Sequence, residues 1–228
     1  MINFFRNKLL LLSCVLCINA FYRNFTMDHK ERMLAGLPYK AWMDGLAELQ
    51  MDSKKRVYKF NLCPPDELDK IEEYTRDILG KAGKNVKIMA PFSCDYGRHI
   101  EVGDNFFANF NCVILDVAKV TIGDNVMFAP GVTVSTAGHP VHPESRNSGY
   151  EYGIPITIGN NVWLGANVVV NPGVTIGSNV VIGSGSVVTK DIPDNVIAVG
   201  NPCRILRPVT DEDRHYYFKT NRFDVDDY

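Results

Sequence analysis

Five histidines occur in the 228 residues. Two of them, His139 and His142, lie in one short run, Ser135-Thr136-Ala137-Gly138-His139-Pro140-Val141-His142-Pro143, which continues as a polar stretch through Tyr152. Imidazole changes charge near neutral pH, with an unperturbed pKa of about 6.5, so a histidine in an open loop suits proton transfer or metal ligation. A zinc site of the three-histidine kind would have to draw on His99 as well as His139 and His142, and no carrying motif for it is present. The other pair of reactive residues is Cys14-x-x-Cys17, inside an apolar run with no second Cys or His pair at zinc spacing. Together with Cys63, Cys94, Cys112 and Cys203 these read as free thiols. On composition alone the histidine run also fits a plain surface loop.

What gives the run its interest is the pattern it interrupts. An aliphatic residue recurs every six positions at Ile158, Leu164, Val170, Ile176, Ile182 and Val188. The register extends back through Val102, Ala108 and Ile114 and, after a two-residue insertion, through Ile122, Phe128 and Val134. Ten of these twelve positions are Ile, Leu or Val, and a second small or branched residue follows each by four, as at Val126, Val162, Val168, Val174, Val180 and Ser186. A six-residue unit is one very short strand and a turn, and three units close a triangular coil that stacks its aliphatic residues inward. Gly or Asn after the aliphatic residue is expected to supply the unusual backbone angles of the corner. A period of six cannot hold one face of a 3.6-residue helix. Residues of about 84–203 are therefore expected to form a β-solenoid of roughly six coils, and a loop ejected from it serves no packing need.

Ahead of the repeat, residues 28–80 read as helical. Trp42, Leu46, Leu49 and Val57 lie near helical spacing, and Leu68, Ile71 and Ile78 share a face between an expected N-cap at Asp66 and C-cap at Gly80. At the start, Arg6 and Lys8 precede the apolar run Leu9 to Ala20, which has the flanks of a secretory signal with conceivable cleavage after Ala20 and a sequon at Asn24. Met27 is an alternative start for a cytoplasmic enzyme. The expected division is a leader at 1–26, a helical cap at 27–82, a β-helix domain at 83–203 with its loop at 136–154, and a tail at 204–228. Lys and Arg number 24 against 26 Asp and Glu, which leaves no footprint for general nucleic-acid binding, and no apolar stretch is long enough to span a membrane.

The register, together with CDYG (Cys94 to Gly97), ANFN (Ala108 to Asn111), TIGDNV (Thr121 to Val126), GHPVHPE (Gly138 to Glu144), PITIGNNVWLG (Pro155 to Gly165), NPGVTIG (Asn171 to Gly177), GSVVTKDIP (Gly185 to Pro193) and GNPCRI (Gly200 to Ile205), resembles the hexapeptide-repeat sugar O-acetyltransferases of the galactoside and maltose acetyltransferase group. The resemblance runs from about Asp28 to the C-terminus. It implies a mainly β fold, a left-handed parallel β-helix with a small N-terminal helical cap, assembled as a homotrimer with active sites between subunits. It also implies acetyl-CoA as co-substrate, a small sugar as acceptor and no catalytic metal.

Residue by residue, the resemblance makes His139 the general base and gives His142 no such role. Acceptor contacts fall on Asp95, Asn109 and Asp116. Acetyl-CoA contacts fall on Trp163, Ala166, Ser184, Thr189 and Lys190, with Arg204 and Arg207 meeting the nucleotide phosphates, a suitable task for cations. The backbone N–H of Ala166 is the implied oxyanion donor. Two acids of galactoside acetyltransferase are missing, since Ala41 and Val117 stand at their positions, and Asp44 is near the first but displaced. The competing expectations are a non-sugar acceptor on the same fold, a zinc-dependent carbonic anhydrase of the γ type, and a non-catalytic trimeric scaffold.

Overall fold

The computed structural model describes residues 27–227, so the expected leader, with Cys14, Cys17 and the Asn24 sequon, lies outside the described residues. The chain winds through three parallel sheets in rotation, which make the three sides of a β-helix. Side one joins Lys81–Ala82, Ile100–Val102, Val120–Ile122, Ile156–Ile158 and Thr175–Ile176. Side two joins Lys87–Ile88, Phe107–Ala108, Met127–Phe128, Trp163–Leu164, Val181–Ile182 and Val196–Val199, and side three joins Phe92–Cys94, Cys112–Leu115, Thr133–Ser135, Val169–Val170 and Val187–Val188. All twelve register residues are at most 3% exposed, as are the six that follow them by four. Stacked coils thus share one continuous apolar core, in which each large aliphatic side chain is worth roughly 1.5–3 kcal/mol of burial.

Coil length varies, and the variation places the site. Equivalent corner residues are 18 apart in the regular coils, 16 in the last and 20 in the early ones. Across the histidine loop the separation is 36. The surplus in the early coils is taken up between sides three and one, in residues 95–99 and 116–119, and the loop at 136–154 leaves from the same edge. Three successive coils therefore bulge at one corner.

The edge between sides one and two is held by an amide ladder. Asn85, Asn105, Asn125, Asn161, Asn179 and Asn195 each bond to the next through their side chains, and all six have positive φ between 55° and 59°. Here the expectation about glycine is corrected. The glycines directly after the aliphatic residues at this edge do not carry the left-handed angles; Asn does, because its short amide tolerates that region and bonds to its neighbour. At Gly159 the constraint is space, since a Cβ would come within 2.6 Å of Ser178 Oγ and 2.8 Å of the Gly177 carbonyl carbon.

Three helices precede the coils: α1 (His29–Leu34), which packs on the strand Tyr152–Gly153, and α2 (Leu46–Asn61) and α3 (Leu68–Ile78), which cover the first coil. Leu46 and Val57 are buried as expected, whereas Leu49 is exposed and Trp42 precedes α2, which begins only after Gly45 at φ 81°. The expected caps of α3 shift by one residue. Glu67, not Asp66, precedes the helix, because a turn from Pro64 (Glu67 N donating to Pro64 O, 3.1 Å) contains Asp66. Leu79, not Gly80, ends it; Leu79 is extended and 2% exposed in the core, and Gly80 N already donates to Gly97 and Ile100 of the first coil. Asn61 on α2 bonds both N–H and C=O of Phe92 at 2.9 Å, tying the cap to side three. At the far end Arg204–Pro208 runs antiparallel to Val196–Val199.

Candidate active site

The loop that carries His139 is a built structure. Ala137–Gly138 pairs with Tyr152–Gly153 in a short antiparallel ribbon, and α4 (Pro143–Asn147) lies between them. Buried Thr136 anchors its root: Oγ1 donates to the Leu115 carbonyl (2.7 Å) and accepts from Ala118 N (2.9 Å), while its own carbonyl accepts from Ile154 N (2.9 Å). Gly153 passes so close to the preceding coil that a Cβ would lie 2.9 Å from Ala118 Cβ and Val117 Cγ2. The return limb then bridges to the cap, with Tyr39 and Glu151 exchanging backbone bonds in both directions (2.9 and 3.0 Å). The His139 imidazole is 55% exposed, and its Nε2 is 3.8 Å from Oε2 of the mostly buried Glu151.

Around this pair the bulged corner gathers further acids. Asp116 is fully buried, with Oδ1 accepting from Asp95 N (3.1 Å) and Tyr96 N (2.9 Å) and Oδ2 from His99 N (3.2 Å). Burial pushes its pKa up against the pull of those amides. His99 Nδ1 donates to the Asp116 carbonyl at 2.6 Å. This geometry makes Asp116 the clamp that shapes the 95–99 corner, in contrast to the expected sugar contact. Asp95, which the clamp presents, accepts from Gln50 Nε2 of α2 (3.3 Å). Burial, then the nearby Asp116 and Glu151 carboxylates, push Asp95 up to about 6. The buried Tyr39 hydroxyl ionises less readily than usual, chiefly through burial and then through Glu151.

The two positions where the resemblance led to an expectation of acids, Ala41 and Val117, are packed among apolar residues. Val117 belongs to a buried cluster with Met33, Tyr39, Leu46 and Tyr96, and Ala41 packs on it. The displaced Asp44 is spent on the backbone, accepting from His29 N at 2.6 Å.

The remaining expected residues lie elsewhere in the chain. Asn109, Ala166 and Ser184 stack on the edge between sides two and three, with Trp163, half exposed, on adjoining side two between Met127 and Val181. His139, Asp95 and Asp116 are on the edge between sides three and one, and Thr189 and Lys190 lie farther along that edge. One chain therefore brings together His139 and the acids but not His139 and Asn109. On the second edge the Ala166 N–H already donates to Ser184 Oγ (3.1 Å), so the expected oxyanion donor is engaged within the chain. Asn109 Oδ1 accepts from Phe110 N (2.8 Å). Thr189, Lys190 and Arg204 are exposed, and no carboxylate among the described residues forms an ion pair with Lys190 or Arg204. Arg207 differs from expectation: its guanidinium makes a two-pronged pair with Asp213 (2.7 and 2.6 Å), which holds that carboxyl well below its usual range. Among the described residues no group of three His, Cys, Asp or Glu is placed to hold a metal, and no helix is long and apolar enough to cross a membrane.

Sequence reasoning singled out His139 but not Glu151, which faces it, nor Tyr39 and Gln50, which bond to Glu151 and Asp95. Glu151 lies in the aperiodic part of the loop, and Tyr39 and Gln50 come from the cap, so only tertiary pairing reveals them. The polar return of the loop was the one available signal.

Two family models match the chain: residues 32–83 fit the maltose acetyltransferase hexapeptide capping motif and residues 155–190 the bacterial transferase hexapeptide of six repeats. The galactoside O-acetyltransferase of Escherichia coli (strain K12) is 51% identical over 193 residues, covering 85% of this chain and 95% of that one. A galactoside acetyltransferase solved in complex with coenzyme A superposes with a TM-score of 0.85 at 49% identity, covering 88% of this chain and 100% of the other. A maltose O-acetyltransferase from Clostridium difficile 630 does so at 0.80 and 50%, covering 81% and 99%.

Proposed function

The chain belongs to the hexapeptide-repeat acetyltransferase family of the galactoside and maltose O-acetyltransferases, and from that premise we propose that it moves an acetyl group from acetyl-CoA to a hydroxyl, a primary 6-hydroxyl, of a small sugar such as a galactoside, maltose or glucose, in the cytoplasm. The enzyme is an acyltransferase that uses acetyl-CoA. The observation that carries the sugar reading is the polar, partly buried corner in which His139 faces Glu151 while Asp95 and Gln50 lie across the clamp.

In this reading His139 accepts the proton of the acceptor hydroxyl as its oxygen bonds to the acetyl carbon. The carbon–sulfur bond of the thioester breaks, and His139 returns the proton to the departing thiolate sulfur, so the base ends as it began. Glu151, whose Oε2 lies 3.8 Å from Nε2, faces the imidazole on the side of the loop's return limb. Asp95 and Asn109 bind hydroxyls, and Asp116 positions Asp95. Thr189, Lys190 and Arg204 hold the coenzyme end with Trp163, Ala166 and Ser184, and the exposed cations fit its phosphates. Arg207 serves there only if its pair with Asp213 opens. Because His139 and Asn109 sit on different edges, a complete site is made by the His139 edge of one subunit and the Asn109 edge of another, as in a homotrimer. Thiol release from acetyl-CoA across a panel of sugars tests the reaction. The expected result is sugar-dependent release that falls by about two to four orders of magnitude in His139→Ala; no sugar-dependent release refutes it.

A further inference from the structure

Beside the His139 loop the chain presents an aromatic surface that the transfer step does not use. Trp42, one of two tryptophans in the chain, is 58% exposed although Ala41 next to it packs on the buried Tyr39 cluster. Its indole is held in place. The ring rests on Gly149, where any Cβ would overlap it, and the Lys40 ammonium lies 6.0 Å from the indole centroid and 5.0 Å from that of Tyr150. Tyr150 in turn lies 6.1 Å from the His29 ring, and His29 Nδ1 accepts from Lys40 N at 3.0 Å. The position is as specific as the fixing. Trp42 is three residues from Tyr39 and touches Gly149, two residues from Glu151, and Tyr39 and Glu151 are paired beside His139. The surface therefore borders the acid side of the site, away from the far coils that carry Lys190 and Arg204.

We propose that Trp42, with Lys40 and Tyr150, forms a second acceptor subsite that holds the pyranose ring adjoining the one acetylated, so that a disaccharide is a better acceptor than its monosaccharide. A pyranose offers an apolar C–H face and a rim of hydroxyls. A fixed flat indole flanked by an ammonium and a phenol matches both, with apolar contact for the face and donors and an acceptor for the rim. The proposal rests on the sugar-acetyltransferase reading above.

The test compares a monosaccharide with the disaccharide built from it, using wild type, Trp42→Ala and Trp42→Phe in the full-length assembled protein. In Trp42→Ala the KM for the disaccharide rises about tenfold more than that for the monosaccharide, kcat moves little, and Trp42→Phe recovers most of the loss. Independently, in Trp163→Phe, where Trp42 is the sole indole, the disaccharide without acetyl-CoA shifts the fluorescence and the monosaccharide shifts it less. Equal KM changes for both sugars, no fluorescence response at rate-saturating disaccharide, or dissociation of the oligomer by Trp42→Ala would overturn the subsite. No sugar-dependent release by wild type would instead overturn the acetyl-transfer reading, while the titration still decides whether Trp42 binds sugar.

Discussion

Replacing Asp95 by Asn removes a charge that the bulged corner resists and keeps the acceptor oxygen used by Gln50. In the folded chain Asp95 is pushed from 3.8 to about 6, first by burial and then by Asp116 and Glu151. Between those values the unfolded chain has released the proton and the folded chain has kept it, so the folded state binds more protons and stability falls as pH rises. Above about pH 6 the cost is constant, and below the unfolded value it vanishes. At full size the shift is worth about 3 kcal/mol, and solvent still reaching the carboxylate reduces this to about 1–2 kcal/mol. Asp95→Asn is therefore expected to be more stable than wild type at about pH 8 by that amount, with the advantage about 1 kcal/mol smaller near pH 5. Urea unfolding of both chains at one protomer concentration, repeated across this range, reads the difference. A difference independent of pH, or a wild type more stable than the variant at high pH, would refute the electrostatic account of the corner.

Two other substitutions probe how the corner and the coils are held. Gly153→Ala is expected to cost about 1–3 kcal/mol, because the new methyl meets Ala118 and Val117 at 2.9 Å. It should also lower the acetyl-transfer rate by shifting the limb that carries Glu151, so thermal unfolding and steady-state rates are measured together. Asn161→Ala gives up two side-chain bonds of the ladder, to Asn125 (3.1 Å) and Asn179 (2.9 Å), and places alanine at φ 56°. It is expected to lose about 2–3 kcal/mol, of which Asn161→Gly regains about 1 kcal/mol, the backbone share.

The solenoid was legible because it repeats: each of Ile158, Leu164 and Val170 faces the same core, so one physical requirement is written many times over. Local turn chemistry was less so. Asp66 looked like a cap until the Pro64 turn claimed it, and at the edge between sides one and two Gly159 and the glycines like it proved to serve close approach while Asn161 and its fellows took the left-handed angles. At the site, His139 stood out because its loop breaks the period, yet the partner that faces it, Glu151, carries no periodic mark. Its meeting with Tyr39 joins segments over a hundred residues apart, which no local pattern encodes. Asp116 was found by its motif, but whether its oxygens point to solvent or to backbone amides depends on a two-residue bulge that sequence located without showing its shape. Arg207 likewise looked free until the tail brought Asp213 to it.

The central claim is that His139 and Asn109 serve one site from different subunits. Chains carrying His139→Ala and chains carrying Asn109→Ala, each nearly inactive alone, can be unfolded together, reassembled at equal amounts and assayed for sugar-dependent thiol release. With random assembly, one interface in four pairs an intact His139 edge with an intact Asn109 edge, so the mixture should recover about one quarter of the wild-type rate. Recovery no greater than the sum of the two separate variants, in assemblies shown to contain both chains, would contradict the account.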